Sequence, residues 1–394
     1  MEAQHKKKVI RTAAVSGSLF GLLKGQLRFL NHYYEVIGVA SEGQHLKTVE
    51  DREGISAKAI NIERNISPLK DVISLIELSR FFYKEKPFMV HSITPKAGLL
   101  CMMAAYFAGV PVRAHTFTGL IFPTQKGIMK QLLLFFDKLI CRFATHIYPE
   151  GNGVKQDLLN YKVTQKPLKV IAYGNVNGKD LQFFDPALFS QPTIIEKKEA
   201  LGITPNDFVF VFVGRLVNDK GVNELVDAFC QLVVQHPAVK LILVGSHEGE
   251  TDLLPQQTWE RLKAEKRILG VGGQADVRPY LALANALVFP SYREGFPNVV
   301  LEAGAMGLPA LVTDINGSNE IIVHGKNGYI IPSKDEQALL EAMTLFVEDP
   351  LFVQAMAQHA RPMIADRYEQ SYVWEALLKE YKRIENEVDS ASIS

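Results

Sequence analysis

Cysteine is scarce in this chain: Cys101, Cys141 and Cys230 are the only three in 394 residues, with no Cys-x-x-Cys spacing. That excludes a disulfide framework and a thiolate zinc site, and it points to a reducing, cytoplasmic setting. An excess of one charge is missing too. Lys plus Arg number 43 and Asp plus Glu number 43, so the formal net charge is zero. No global field is available to hold nucleic acid. No run of about 18 apolar residues occurs, so no segment is expected to span a bilayer. The start, Met1 to Lys8, is polar, and the apolar stretch after it is broken by Arg11 and Ser16, so no secretory signal is expected. Asp-x-Asp, the common metal-carboxylate signature, is absent, and no repeat of fixed period appears.

What is present is ordinary in bulk. Apolar residues make up 47% and charged residues 22%, as in soluble globular proteins. The length suggests two domains of roughly 150–200 residues. Strand and helix patterns alternate, which predicts α/β units with parallel sheets. In the first half, strands are expected at Val9–Val15, Val36–Ala40, Lys58–Ile62, Phe88–Ile93, Val112–Phe117, Thr145–Tyr148 and Leu168–Ala172. Helices fill the gaps, beginning with one from Ser16-Gly17-Ser18 into Tyr33. A Gly/Asn-rich stretch, Tyr173 to Asp180, marks turns and the approach to a domain junction. Alternation restarts with the strand Phe208–Val213, whose six apolar residues suit burial on both faces. Strands at Val239–Val244, Ile268–Val271, Ala286–Phe289, Ala310–Thr313 and Tyr329–Ile331 follow. A last helix, Ser371–Asn386, is followed by a tail, Val388–Ser394, that reads as frayed.

The most informative stretch runs from Ser291 to Ala303. A strand ends at Phe289, a loop carries Glu294, and a helix starting near Pro297 carries Glu302. Free N–H groups and the positive dipole end of such a helix attract an anion. Two carboxylates beside an anion-attracting helix start suit a ligand bearing both hydroxyls and phosphates. Upstream, Val213-Gly214-Arg215-Leu216 closes a strand, and Asp219-Lys220-Gly221 opens the next helix. A guanidinium fork and an ammonium at a strand's carboxyl end suit phosphate oxygens. The plainer readings are two surface cations at a turn, and a Glu302 favoured by the helix dipole. A glycoside-hydrolase pair would need carboxyls roughly 5–10 Å apart flanking a glycosidic bond.

The Glu-(seven residues)-Glu pair, the Gly-Arg-Leu after a strand and the Asp-Lys-Gly step resemble family 4 of the retaining glycosyltransferases. His115-Thr116-Phe117-Thr118-Gly119 and Pro149-Glu150-Gly151 resemble its bacterial members of capsule, O-antigen and lipid-linked glycan assembly. The resemblance implies the GT-B fold: two Rossmann-like, doubly wound parallel-sheet domains facing each other across a cleft. Residues 1–183 would form an acceptor domain, joined by a returning helix at 368–388, and residues 184–367 a donor domain. It implies transfer of a hexose or N-acetylhexosamine from an NDP-sugar, expected to be UDP-linked, to a glycan on a polyprenyl diphosphate or another glycan acceptor. Arg215 and Lys220 would hold the donor diphosphate, Glu302 the ribose and Glu294 the transferred sugar. Backbone N–H groups of Gly295, Phe296, Pro297, Asn298 and Val299, proline lacking one, would face sugar or phosphate, and Gly17 would allow close approach. His115 would touch the donor sugar, a core or capping role being the alternative. Ser16, His91 and Lys96 are candidates for the acceptor side. No metal and no cofactor beyond the nucleotide sugar are expected. The basic amphipathic helix Lys126–Phe143 and the loop Leu120–Pro123 suggest contact with an anionic membrane at the inner face of the plasma membrane, against a core helix whose cations face water. A non-hydrolysing epimerase and a catalytically silent binding partner are the alternatives.

Overall fold

The computed structural model describes residues 6–63, 67–246 and 252–393. The first five residues, part of the polar start, and Ser394, the end of the expected frayed tail, lie outside the described residues. The chain divides into two compact units, residues 1–178 with 370–394, and residues 179–369. The break precedes the expected 183/184 junction because the next residues are tied into the second unit. The Lys179 N–H donates to the Tyr368 carbonyl, and Arg361 donates to the carbonyls of Leu181 and Phe184.

The first unit holds six strands: β1 (Lys8–Val15), β2 (Glu35–Ser41), β3 (Ser56–Ala59), β4 (Met89–Ser92), β5 (Val112–Phe117) and β6 (His146–Pro149). Between them run α1 (Ser16–Leu22), α2 (Gln26–Asn31), α3 (Gln44–Glu53), α4 (Pro68–Glu85), α5 (Pro95–Phe107) and α6 (Gly127–Phe143), with α7 (Asn152–Asn160) after β6. The order β3-β2-β1-β4-β5-β6 is parallel throughout, so the winding reverses between β1 and β4. The second unit repeats the plan with β7 (Phe208–Val213), β8 (Val239–Val244), β9 (Ile268–Gly272), β10 (Ala286–Phe289), β11 (Ala310–Thr313) and β12 (Gly328–Ile331). Its helices are α8 (Gln191–Ala200), α9 (Val222–Gln235), α10 (Gln256–Ala264), α11 (Arg278–Leu283), α12 (Asn298–Ala305), α13 (Ser318–Ile321), α14 (Glu336–Glu348) and α15 (Pro350–Tyr368). The order β12-β11-β10-β7-β8-β9 places its reversal between β10 and β7. Val209 to Phe212 are fully buried, as a central parallel strand covered by helices on both faces requires.

The last helix, α16 (Gln370–Ile393), belongs to the first unit, where Leu377, Tyr381 and Ile384 join the core over one sheet face. Helix α16 runs through the region expected to fray. The helix expected from Ser16 to Tyr33 is two helices. Gly25, at φ 80°, breaks it where a side chain would collide with the Trp374 ring. Leu168–Ala172 is not a strand: only Leu168 bridges to Ile147, and Ala172 turns left-handed at φ 51°. The expected strand Lys58–Ile62 pairs earlier, at Ser56–Ala59.

Beneath α16 lies a buried chain of polar groups. The Tyr381 hydroxyl accepts from Arg11 (2.9 Å) and donates to His91 Nδ1 (2.6 Å), whose Nε2 donates to Thr116 Oγ1 (2.7 Å). A Tyr381→Phe variant strands both Arg11 and His91 Nδ1, so it should lose about 1–3 kcal/mol of stability. Urea denaturation measures this, and an unchanged midpoint would show that the chain does not stabilise the unit.

Candidate functional site

In doubly wound sheets, ligands bind outside the carboxyl ends of the strands where the winding reverses. In the second unit that point lies between β7 and β10, and both sequence motifs leave the sheet there. After β7 the chain passes Gly214 and Arg215, makes a short 3₁₀ turn at Asn218–Lys220, and enters α9. After β10 it passes Pro290 and Ser291 to Glu294 and then α12. The two segments touch because residue 221 is glycine. Its φ is 69°, and a Cβ there would lie 2.1 Å from the Pro290 carbonyl oxygen. The Tyr292 N–H donates to the Asp219 carbonyl (2.8 Å), and Arg293 reaches the Asp219 carboxylate (3.0 Å).

This contact brings Lys220 to Glu294. The Lys220 ammonium donates to Glu294 Oε1, and the buried Ser291 hydroxyl donates to the same oxygen at 2.9 Å. Glu302 lies on the second turn of α12, so the first-turn dipole explanation does not fit its position. Its Oε1 accepts from Lys179 at 2.7 Å. Each glutamate is thus held through one oxygen, and the other has no partner among the described residues. Between them, Phe296 and Pro297 are buried, with the Phe296 ring 5.5 Å from that of Tyr368. Phe296 therefore offers its backbone, while its side chain anchors the loop; Gly295, Asn298 and Val299 are partly exposed. Pro297 is the residue before the helix, one position earlier than a first helical residue. Arg215 is exposed and pairs with no carboxylate among the described residues.

Lys179 is the residue that sequence reading missed. It lies in the Gly/Asn-rich junction, where the turn signal hid it. Ser291, at the start of the motif, orients Glu294, a role its sequence position does not signal.

The first unit departs from expectation at several positions. His91 is buried with both ring nitrogens bonded, so it has no atom left for an acceptor. His115 is 1% exposed, and its Nδ1 meets the Ser92 hydroxyl at 2.7 Å. Its ring lies against Gly98 on the first turn of α5, where any Cβ would come within 2.4 Å. Burial pushes its pKa down to about 3, so the ring is neutral near pH 7. The structure thus gives His115 a core position. Its Nε2 is buried without a partner among the described residues. Ser16 is buried beside Gly43. Gly17 is exposed, its nearest neighbour to an added Cβ being His45 at 3.7 Å, so the fold itself does not demand glycine there. Lys96 donates to Asp71 Oδ2 at 2.6 Å. On α6 only Asp137, Ile140 and Cys141 are buried; Lys126, Lys138, Arg142, Ile128, Met129 and Phe135 are exposed. In the preceding loop Ile121 is exposed and Phe122 fully buried. Among the described residues no helix is long and apolar enough to cross a membrane.

Comparison with known proteins bears on the family and the fold. The family described as Glycosyl transferases group 1 matches residues 193–363, and Glycosyl transferase 4-like matches residues 19–149. The capsular polysaccharide biosynthesis glycosyltransferase CapM of Staphylococcus aureus is 29% identical over 377 residues, covering 95% of this chain and 97% of the relative. A UDP-Gal:alpha-D-GlcNAc-diphosphoundecaprenol alpha-1,3-galactosyltransferase of Escherichia coli is 31% identical over 309 residues, covering 77% of this chain and 78% of the relative. Among solved structures, HepE of Anabaena in complex with UDP-glucose superposes with a TM-score of 0.81 at 20% identity, covering 96% of this chain and all of HepE. WaaG, a glycosyltransferase involved in lipopolysaccharide biosynthesis, gives 0.71 at 16% identity, covering 93% of this chain and 98% of WaaG. The chain belongs to the group 1 glycosyl transferases, and its fold is of the GT-B type.

The two buried histidines set a pH dependence. Burial lowers both pKa values below the ordinary 6.5. Protons therefore bind the unfolded chain first, and stability falls as pH drops below about 6.5. The melting temperature should decline between about pH 7 and pH 5, above the ordinary carboxylate range. The decline should be shallower in His115→Asn; an identical slope would contradict the assignment.

Proposed function

We propose that this chain transfers a hexose or N-acetylhexosamine from a UDP-sugar to a lipid-linked glycan, with retention of anomeric configuration and without a metal ion. The observation that carries the reading is the meeting of Lys220 with Glu294 at the β7/β10 reversal, one loop away from Glu302. The UDP assignment is supported by the UDP-Gal donor named for the Escherichia coli relative and by the UDP-glucose held by HepE. The acceptor class follows the diphosphoundecaprenol named for that same relative.

The charges define the chemistry. A departing diphosphate gathers negative charge in the transition state, and preorganised cations and helix N–H groups stabilise that charge most where water is excluded. Lys220 and Arg215 fill this role, with the first turn of α12 beside them. The free oxygen of Glu302 accepts from the ribose hydroxyls, and that of Glu294 from the transferred sugar. Lys179 and Ser291 position these two carboxylates. Gly17, exposed just after β1, leaves room for a ligand to approach the backbone there. His115 is neutral, so it can act only as a fixed dipole or a packing group. The exposed apolar and basic side chains of α6, with Ile121, suit a peripheral position on the anionic inner face of the plasma membrane.

Lys220→Ala and Glu294→Ala should each lower transfer by about 10²-fold or more while the melting curve shows an intact fold. Full transfer by both variants would contradict the assignment. EDTA should leave the rate unchanged; loss of activity restored by Mg²⁺ would refute metal independence. Gly17→Ala should keep the melting temperature and lower transfer, whereas unaltered transfer would show that Gly17 contacts no reactant. NMR of the glycosidic product checks retention, an inverted anomer being the contrary result.

A further inference from the structure

Helices α4, α5 and α6 of the first unit leave between them a cavity of about 460 Å³. Its wall is built from apolar side chains, among them Val72 and Leu75 of α4, Leu99 and Met103 of α5, and Leu133 and Phe136 of α6. The polar side chains in the wall, Asp71, Lys96 and Asp137, leave it with little net charge. The Lys96 ammonium is paired with Asp71 at 2.6 Å. Asp137 makes no ion pair among the described residues, and burial pushes its carboxyl up to about 7. A cavity of this size with so apolar a wall suits a hydrophobic ligand.

The position of the cavity says which kind. Four of its lining residues, Pro68, Val72, Pro95 and Ile121, are also exposed. Leu69, Ile73 and Ile76 on α4 and Ile128 and Met129 on α6 are exposed as well, so the two outer helices carry apolar side chains to the surface. Exposed apolar surface on this scale marks a membrane contact or a ligand groove. Lys126 and Lys130 stand on the same end of α6, where an anionic lipid head would find counter-charge. The wall also includes Pro95, Lys96 and Gly119, which follow the carboxyl ends of β4 and β5; Gly119 lies two residues from Ile121, and Lys96 pairs with Asp71, the neighbour of Val72. The carboxyl ends of the strands form the sheet edge at which ligands bind in this architecture.

We propose that the α4–α5–α6 cavity takes the isoprenoid tail of the polyprenyl-diphosphate-linked acceptor, received from the bilayer through the Val72–Ile121 mouth, with the diphosphate toward the carboxyl edge of the first sheet. This rests on the transferase reading above. A largely apolar wall accommodates the hydrocarbon, and Lys126 and Lys130 outside it hold the diphosphate at the surface.

Two measurements test it. The first compares one glycan acceptor on a polyprenyl diphosphate with the same glycan on a short, water-soluble aglycone. Leu99→Trp or Met103→Trp, which fill the cavity, should raise KM for the polyprenyl acceptor by roughly 10–200-fold and leave KM for the soluble acceptor unchanged. Equal effects on both acceptors, or none on either, would overturn the proposal. The second needs no transfer: wild-type protein is irradiated with a diazirine-bearing farnesyl diphosphate, and labelled peptides are read by mass spectrometry. Label on Leu99, Met103 or Phe136 supports the cavity. Label confined to Ile128 and Met129 means surface contact only and overturns it. If wild-type protein transfers to neither acceptor, the transferase reading fails, and the labelling still decides what the cavity holds.

Discussion

The ion pair between Lys220 and Glu294 is the constraint on which the candidate site depends. It joins two segments that leave different strands, and it does so where the winding of the second sheet reverses. The pair exists because Gly221 allows the β7 segment to lie against the Pro290 carbonyl, and because Ser291 holds the same carboxylate oxygen. A second pair, Lys179 with Glu302, repeats the device one turn into α12. Both glutamates are thereby oriented by one oxygen, with the other left without a partner among the described residues. Such partly exposed pairs add little to stability. Their value is geometric: two cations and two acceptors are held near one helix start.

The two units use their sheets differently. In the second, the carboxyl edge carries charged, partly exposed side chains. In the first, the histidines that follow the same topological logic are turned into the core and kept neutral, and the polar chain from Arg11 through Tyr381 to Thr116 fastens α16 to its own sheet. What the first unit offers to ligands is mostly apolar: the α4–α5–α6 cavity and the outer faces of α4 and α6.

Much of this was legible in the sequence. Strands such as Phe208–Val213 and Val239–Val244 were readable to the residue, because four consecutive buried positions in each, Val209–Phe212 and Leu241–Val244, show as an apolar run with no helical period. The loop from Ser291 to Glu302 was readable because proline, glycine and two carboxylates at set spacing describe a loop and a helix start. The errors have physical causes. Leu168–Ala172 is as apolar as a strand, but the left-handed backbone at Ala172 and a single bridge to Ile147 end its pairing. His91 and His115 lie within β4 and β5 near their carboxyl ends, where side-chain direction decides whether a histidine faces ligand or core, and Gly98 makes space for His115 inside. Lys179 was hidden among turn residues, since its role arises only when residues 123 positions apart meet.

The central claim is that one nucleotide diphosphate is gripped at the β7/β10 reversal. A crystal structure of the chain with UDP tests it most directly. The account predicts phosphate oxygens within hydrogen-bond distance of Lys220 and Arg215, with the ribose hydroxyls on Glu302. UDP bound elsewhere, with Lys220 still committed to Glu294, would contradict it.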